Sequence, residues 1–216
     1  MAWWKEKKID ILSPLEGYNR WAATYSLESN PIKNLSDSLV EKFLPNLRDK
    51  SVLDAGCGTG KFCGLAAKQH AAKITGIDLS PAMIEIARSQ HTTPLFKCEN
   101  LSNTTLAEND VDVIICALVL GHIEQLQPVL ATLVRALKKG GTLIVTDFHP
   151  FLTLLQSRRT FRDKLSGKQY EVLHHLHLFE EYVRCIHENG AAIEALEEPT
   201  FNGNPVIFGL RVKKLM

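Results

Sequence analysis

The chain has 216 residues, of which 45% are hydrophobic, and its formal net charge is +1 at pH 7. These values suit a single domain spanning residues 1–216, and they argue against a general polyanion-binding surface, which requires a basic excess. The five cysteines include no CxxC pair, which disfavours a zinc cluster, and their odd number favours a reducing compartment.

Neither a signal peptide nor a membrane span is predicted. The opening stretch MAWWKEKKIDIL lacks an apolar segment of the signal-peptide kind. The longest apolar run, Val113–Gly121, is far shorter than the roughly 18 residues needed to cross a bilayer. We therefore expect a cytoplasmic protein with no membrane partner, and its oligomeric state stays open.

Strand-like and helical segments alternate from residue 51 onward. The predicted strands are Ser51–Ala55, Lys73–Ile77, Pro94–Lys97, Val111–Cys116 and Thr142–Phe148. The predicted helices are Lys61–His70, a segment from the N-cap Ser80 to about Gln90, and a segment that ends with Lys138 and Lys139 before a C-cap at Gly140. This alternation predicts a parallel sheet with helices on both faces.

The C-terminal part has a different pattern. A helix is expected over Phe179–Glu188, followed by strands over Ala192–Leu196 and Val206–Val212. The short connection FNGNP predicts that these two strands form an antiparallel hairpin. Two segments remain outside the sheet, an N-terminal helical lid over residues 1–50 and a substrate-side insertion over 150–178. Both are expected at the carboxyl ends of the strands, where open α/β sheets bind ligands.

The glycine-rich stretch VLDAGCGTGKF, residues 52–62, follows the first of these strands. A Walker A loop is excluded because Ala55 replaces its first glycine and Phe62 replaces its Ser or Thr. A dinucleotide fingerprint is disfavoured because Lys61 stands where the third glycine of GxGxxG belongs. An NAD-dependent dehydrogenase is therefore a distant alternative.

Two acids at strand ends point to a different ligand. Asp54 precedes the glycines, where a carboxylate would repel a pyrophosphate but suits a cationic α-amino group, directly or through water. Asp78 ends the next strand, in ITGIDLS, in a position to grip a ribose diol. A ligand with a ribose, an amino-acid tail and no phosphate is S-adenosylmethionine.

At this point the sequence resembles a known family. VLDAGCGTG and ITGIDLSPAMIEIAR are similar to motifs I and II of the class I S-adenosylmethionine-dependent methyltransferases, of the small-molecule type. The resemblance covers residues 14 to about 148 and, more loosely, the C-terminal hairpin. It implies a Rossmann-like, doubly wound α/β sheet of seven strands in the order 3-2-1-4-5-7-6, with strand 7 antiparallel.

The resemblance also implies roles for residues around the glycine loop. Gly56, Cys57 and Gly58 would line the methionine part of the cofactor. The ribose would be held by Asp78, and the adenine would be covered by Leu79 and Met83.

Asn100 departs from the family, which usually has an Asp there to accept a hydrogen bond from the adenine amino group. An Asn oxygen can still accept this bond, and Glu99 is a competing candidate. Leu101 would offer its backbone N–H to the adenine ring.

Two further segments resemble parts of the family's site. After the fourth strand, Ala117 and Leu118 would lie beside the sulfonium, with His122 close by, where histidines often only shape a pocket. GYNRWAATY places Tyr18, Trp21 and Tyr25 on one helical face and resembles a lid segment of small-molecule methyltransferases. Tyr18 and Tyr25 would then reach the cofactor, whereas Trp21 is expected to pack the helix onto the core.

Histidines in the outer segments are candidates for a general base, which is needed only if the acceptor must lose a proton. His149 follows the fifth strand, and His175 and His177 would share one face if YEVLHHLHLF is a strand. Structural roles for all three stay equally open. No metal site is predicted, because no carboxylate stands at ligand spacing from these histidines.

Arg158, Arg159 and Arg162 either clamp an acidic substrate or form a solvated basic face; the second is favoured because charge runs are usually exposed.

The sequence thus predicts an S-adenosylmethionine-dependent methyltransferase that transfers a methyl group to an oxygen or nitrogen of a small molecule and releases S-adenosylhomocysteine. CALVLG stands in place of the [D/N/S]-P-P-[Y/F] motif of enzymes that methylate base amines, which disfavours that class. Methylation of RNA or protein, and cofactor binding without catalysis, remain the alternatives.

Overall fold

The structure is a computed structural model that describes residues 9–28 and 30–216. Residues 1–8 and Ser29 of the predicted lid lie outside the described residues, as does most of the opening stretch that was compared with a signal peptide. No helix in the described ranges has both the length and the apolar character needed to cross a membrane.

Seven α-helices and twelve strands are described. The helices are α1 (Pro14–Tyr25), α2 (Pro31–Phe43), α3 (Lys61–Lys68), α4 (Pro81–Gln90), α5 (Leu126–Ala136), α6 (Pro150–Leu154) and α7 (Phe179–Glu188). The strands are β1 (Asp10–Leu12), β2 (Ser51–Ala55), β3 (Lys73–Asp78), β4 (Leu95–Cys98), β5 (Val111–Ala117), β6 (Leu137–Phe148), β7 (Thr160–Arg162), β8 (Gln169–Val172), β9 (Ala191–Glu197), β10 (Thr200–Phe201), β11 (Asn204–Pro205) and β12 (Ile207–Lys214).

A seven-stranded sheet forms the centre of the molecule, with the strand order β4-β3-β2-β5-β6-β12-β9. Strands β2 to β6 pair in parallel, and β12 is antiparallel to both of its neighbours. Numbered within this sheet alone, the order is 3-2-1-4-5-7-6, which is the arrangement that the resemblance implied. The predicted C-terminal hairpin is confirmed as β9 and β12, with a small β10–β11 ribbon at its turn.

Both faces of the sheet are covered by helices, which explains the continuous apolar run of β5. Its residues Val113–Cys116 are at most 2% exposed. One face packs against α5 and α7, through residues such as Leu130 and Ile186. The other packs against α2, α3 and α4. A parallel sheet buried in this way leaves its carboxyl-end edge as the natural place for a ligand.

The junction of α5 and β6 differs from the sequence prediction. Helix α5 ends at Ala136, and β6 begins at Leu137, so Lys138 and Lys139 are not in the last turn of the helix and Gly140 is not its C-cap. The Lys138 ammonium instead lies 2.9 Å from the Asp112 carboxylate. Gly140 has a φ of +72°.

A second, three-stranded sheet joins the two outer segments and was not predicted. Strand β1 from the N-terminal segment pairs in parallel with β8 of the 150–178 segment, and β8 pairs antiparallel with β7. This sheet and α1 share a small apolar core formed by Trp21, Phe161, Tyr170 and Val172. Helix α1 and these three strands therefore form one substructure, which we call the cap. Helix α2, which was also predicted as part of the lid, packs instead on a face of the central sheet.

Helix α2 is fixed to the central sheet by a buried polar contact. The hydroxyls of Ser36 and Thr146 are 2.6 Å apart, and both residues are 0% exposed. We expect Ser36→Ala to lower the free energy of unfolding by about 1–3 kcal/mol, because it leaves the buried Thr146 hydroxyl without this partner. Urea denaturation measures this change.

The matched control is Ser38→Ala, on the exposed side of the same helix. It is expected to leave stability nearly unchanged. Equal effects of the two substitutions would contradict the role given to the buried contact.

Candidate functional site

A cavity of about 240 Å³ lies where β2, β3 and β5 end. Most of the residues predicted to bind the cofactor line it, and only Asp54 and Cys57 of that set do not. Those in the wall are Tyr18, Tyr25, Gly56, Gly58, Asp78, Leu79, Met83, Asn100, Leu101, Ala117, Leu118 and His122. The sequence reasoning missed other wall residues: Pro14, Ser80, Ser102, Val119, Ile123 and Glu124. We call this space the first cavity.

The glycine loop forms one wall because its backbone adopts a conformation that glycine favours. Gly56 has a φ of +82°, and its N–H donates to the Ile77 carbonyl at 2.7 Å. A Cβ at this position would overlap the Val119 side chain. The loop therefore presents backbone rather than side chain to the cavity.

Asp78 connects this loop to the next one. Its Oδ2 accepts the Gly58 N–H and its Oδ1 accepts the Ser80 N–H, each at 2.8 Å. Burial raises the pKa of this carboxyl above its usual range, although the two backbone donors oppose the shift. The carboxylate is thus fixed in orientation, with lone pairs left for a ligand.

The far end of the first cavity is largely apolar. Leu79, Met83 and Leu101 contribute side chains there, and Met83 is only 1% exposed. The Oδ1 of Asn100 accepts the Ser102 N–H at 2.9 Å, which leaves a second lone pair on the same oxygen. This end offers an apolar slot with an available acceptor.

Tyr18 and His122 both line the first cavity and are hydrogen-bonded to each other. Tyr18 Oη lies 2.9 Å from His122 Nε2, and His122 Nδ1 lies 2.7 Å from the Leu173 carbonyl. Because a carbonyl only accepts, Nδ1 carries the proton and Nε2 accepts from the Tyr18 hydroxyl. Burial holds the pKa of His122 well below its ordinary value, so the ring is neutral at neutral pH.

The predicted aromatic face of α1 is confirmed. Tyr18, Trp21 and Tyr25 have ring centroids 5.1–6.1 Å apart. Trp21 stacks on Phe161 at 4.9 Å and is part of the small core of the cap, as its expected packing role requires. Tyr18 and Tyr25 reach the first cavity from the same face.

Two more cavities adjoin the first. The second, of about 570 Å³, includes Cys57, Thr59 and Lys61 in its wall, and the third, of about 260 Å³, includes Phe148 and Arg159. All three share Tyr25 and Leu118 as wall residues. Leu118, which has a φ of +60°, therefore stands where the three spaces meet.

Comparisons with known proteins agree with this geometry. Residues 53–145 match the family model of a methyltransferase domain. An uncharacterized protein of Haemophilus influenzae is 32% identical over 72% of this chain and 65% of its own length. The demethylmenaquinone methyltransferase of Tropheryma whipplei is 33% identical over 62% of this chain and 58% of its own length.

A solved S-adenosylmethionine-dependent methyltransferase from Mesorhizobium loti has the same fold. It is 21% identical, covers 82% of this chain and 96% of its own, and superposes with a TM-score of 0.68. Residues 53–145 therefore belong to the methyltransferase-domain family whose model they match. The chain spans only 65% and 58% of the lengths of the two relatives above, and their activities do not carry over from the likeness alone.

Asp54 and Cys57 lie differently in this chain from the rest of the predicted cofactor site. Asp54 is 1% exposed beneath the glycine loop, where its carboxylate accepts a hydrogen bond from Cys63 Sγ at 3.5 Å. It does not line the first cavity, so direct contact with a ligand there is not supported. Cys57 faces the second cavity instead of the first.

The three histidines predicted as catalytic do not line the first cavity, and each has a structural partner. His149 is 1% exposed, lies 2.8 Å from the Glu198 carboxylate and caps α6. His177 Nε2 lies 2.7 Å from the Ile123 carbonyl. The backbone N–H of His175 donates to Gly121, in a segment that has no strand structure. Their role as catalytic residues stays a prediction.

Metal ligation by these histidines has no support in residues 9–28 and 30–216, where no group of three or more His, Cys, Asp or Glu is placed to hold an ion.

The three arginines of the predicted basic segment, Arg158, Arg159 and Arg162, differ in their exposure. Arg162 is exposed on β7, whereas Arg159 is only 9% exposed and does not belong to a solvated helix face. The run of charged residues in the sequence does not indicate that Arg159 is buried.

Burial of Asp54 gives a prediction for stability. Burial raises the pKa of this carboxyl to about 7 in the folded protein, whereas an unfolded Asp titrates near 4. Between about pH 4 and about pH 7, the Asp54 carboxyl is ionised in the unfolded chain but largely protonated in the folded one. The free energy of unfolding therefore falls as the pH rises through this range. We expect the Tm of Asp54→Asn, relative to the wild type, to be higher at pH 8 than at pH 5 by more than about 2 °C.

Asp110→Asn is the control, because Asp110 is an exposed carboxylate at the opposite edge of the sheet. Its Tm difference from the wild type should be small and similar at both pH values. A pH-independent difference for Asp54→Asn would show that the buried carboxyl does not titrate as stated.

Proposed function

We propose that the protein transfers a methyl group from S-adenosylmethionine to an oxygen or nitrogen of a small-molecule acceptor. The observation that carries this proposal is the Asp78 carboxylate, held by two backbone donors in the wall of a cavity that it shares with Gly56 and Gly58. The family match supports the reaction type. Relatives named as a demethylmenaquinone methyltransferase and a ubiquinone biosynthesis O-methyltransferase support an acceptor of small-molecule size.

The residues of the first cavity fit the parts of this cofactor. A fixed carboxylate suits a ribose diol, which donates two hydrogen bonds. The apolar slot of Leu79, Met83 and Leu101 suits the adenine, and Asn100 has a free lone pair for its amino group. The exposed backbone at Gly56 and Gly58 allows close approach of the methionine part.

Methyl transfer needs alignment more than it needs acid–base groups. When bound, S-adenosylmethionine would supply an electrophilic methyl group to the acceptor lone pair. The chain contributes position and exclusion of water, which supply about 7–11 kcal/mol in well-oriented systems. Ala117, Leu118 and Val119 form a mainly apolar part of the wall of the first cavity.

The Tyr18–His122 pair is suited to positioning. His122 is neutral, and its Nε2 already accepts from the Tyr18 hydroxyl, whose own lone pairs remain available to a ligand. Burial raises the pKa of Tyr18 above its usual value, so it is present as a phenol. Tyr18 therefore offers a fixed, neutral oxygen near the meeting point of the cavities.

Calorimetric titration with S-adenosylmethionine and S-adenosylhomocysteine tests the proposal. The wild type is expected to bind both, and Asp78→Ala is expected to weaken binding at least about tenfold, because hydrogen bonds to a charged group are lost. Asp110→Ala, which removes an exposed carboxylate paired with Lys73, should bind like the wild type.

Absence of binding to the wild type would refute the cofactor assignment. Release of S-adenosylhomocysteine that depends on an added oxygen or nitrogen acceptor then separates an enzyme from a protein that only binds the cofactor.

The raised pKa of Asp78 predicts a pH dependence of ribose binding. 5′-Methylthioadenosine has the ribose and adenine but no amino-acid tail, so its affinity isolates this end of the site from Asp54. Because the ribose needs an ionised acceptor, affinity is expected to fall as the pH is lowered through the raised pKa of Asp78. In Asp78→Asn the affinity should be weak and independent of pH. A flat profile for the wild type would contradict the assignment of Asp78 to the ribose.

A further inference from the structure

Arg159 is a buried cation with an unused donor. Its side chain is 9% exposed, its Nη2 donates to the Leu118 carbonyl at 3.1 Å, and its guanidinium carbon lies 4.4 Å from the centre of the Phe148 ring. Its Nη1 is buried and has no hydrogen-bond partner among the residues that the structure describes. Buried guanidinium nitrogens are rarely left in this state, because an unsatisfied charged donor is costly.

The nearby acid does not satisfy this donor. Asp147 Oδ1 lies 3.7 Å from Arg159 Nη1, which is beyond hydrogen-bond distance. Its two oxygens already accept backbone N–H groups, from Gly121 at 2.6 Å and from Phe148 at 2.7 Å. Asp147 offsets part of the charge of Arg159 but leaves Nη1 free for another acceptor.

The third cavity is bordered by Arg159 and has a basic wall. Lys33, Arg158 and Arg159 line it, against a single acid, Glu28. Trp21 Nε1 and Thr24 Oγ1 donate to the Glu28 carboxylate at 3.1 and 3.0 Å, and it keeps its charge. Arg158 lies 3.7 Å from the Glu171 carboxylate, so the positive charge of this wall comes mainly from Lys33 and Arg159. The charge of this cavity therefore favours an anion.

The third cavity does not reach the glycine loop of the predicted cofactor site. Gly56 and Gly58 line the first and second cavities but not the third. The third shares Tyr25 and Leu118 with both and Tyr18 with the first, and Phe148 adds an aromatic side chain to its wall. A molecule in it reaches the meeting point without crossing the glycine loop, as a methyl acceptor must.

We infer that the third cavity binds the methyl acceptor and that Arg159 Nη1 binds a carboxylate on it, next to an aromatic or other apolar body. This inference rests on the proposed function and narrows its substrate class. Arginine suits the task because its guanidinium is always charged and makes strong, directional bonds to carboxylates. The carboxylate of the cofactor's own amino-acid tail is the other possible source of the anion, and the experiment separates the two.

The test uses protein saturated with S-adenosylhomocysteine and two matched probes, benzoate and the neutral isostere benzamide. Benzoate is expected to bind more tightly than benzamide in calorimetry and ligand-detected NMR. Arg159→Gln should weaken benzoate at least about tenfold, with little effect on S-adenosylhomocysteine. Arg162→Gln, an exposed arginine outside the cavity, is the control and should match the wild type.

Arg159→Lys is the second variant, because it keeps the buried charge if Arg159→Gln does not fold. Its shorter, differently shaped head group should also weaken benzoate, and thermal denaturation establishes that each variant is folded.

Equal binding of the two probes, or of benzoate to wild type and both Arg159 variants, would overturn the inference. A larger loss of S-adenosylhomocysteine than of benzoate in Arg159→Gln would assign the anion to the cofactor and likewise overturn it. If S-adenosylhomocysteine does not bind the wild type, the proposed function fails, and benzoate titrated onto the free protein still decides whether Arg159 forms an anion site.

Discussion

The candidate site depends on one carboxylate that ties two loops together. Asp78 ends β3, and its oxygens accept N–H groups from Gly58 in the loop after β2 and from Ser80 at the start of α4. The N–H groups of Gly56 and Cys57 add a second attachment, because both donate to the Ile77 carbonyl at the end of the neighbouring strand, at 2.7 and 2.9 Å. The cost is a buried acid with a raised pKa. The same geometry that fixes the loops leaves the carboxylate at the wall of the first cavity, so the residue that ties the loops together is also the one proposed to bind the ribose.

The cap applies a second constraint from the opposite side. Pairing of β1 with β8 joins segments that are about 160 residues apart in the chain, for example through Asp10 and Tyr170. The stacked pair of Trp21 and Phe161 then fixes α1 to β7. Because Tyr18 and Tyr25 are on the same helix as Trp21, and Arg159 directly precedes β7, this packing sets the walls of the first and third cavities. The cap is therefore as necessary to the site as the central sheet.

Features that depend on local interactions could be predicted from the sequence, and features that depend on long-range contacts could not. The strand order of the central sheet was predicted correctly, and Gly56 and Asp78 do lie in one cavity wall. Both follow from signals for a strand, a loop and a helix that are local and repeat along the chain. The cap sheet depends on long-range pairing of three- and four-residue strands, which have no local signature. The roles of His149 and Arg159 depend on burial, and a sequence does not record that His149 meets Glu198 or that Arg159 lies over Phe148.

Charges of both signs surround the meeting point. Asp54 and Asp78 lie at or beneath the glycine loop, Lys33 borders the second and third cavities, and Arg159 borders the third. In the proposed reaction a cationic sulfonium lies near the two acids, and an anionic acceptor lies beside Arg159. Opposite charges on the two reactants then favour their approach at Leu118.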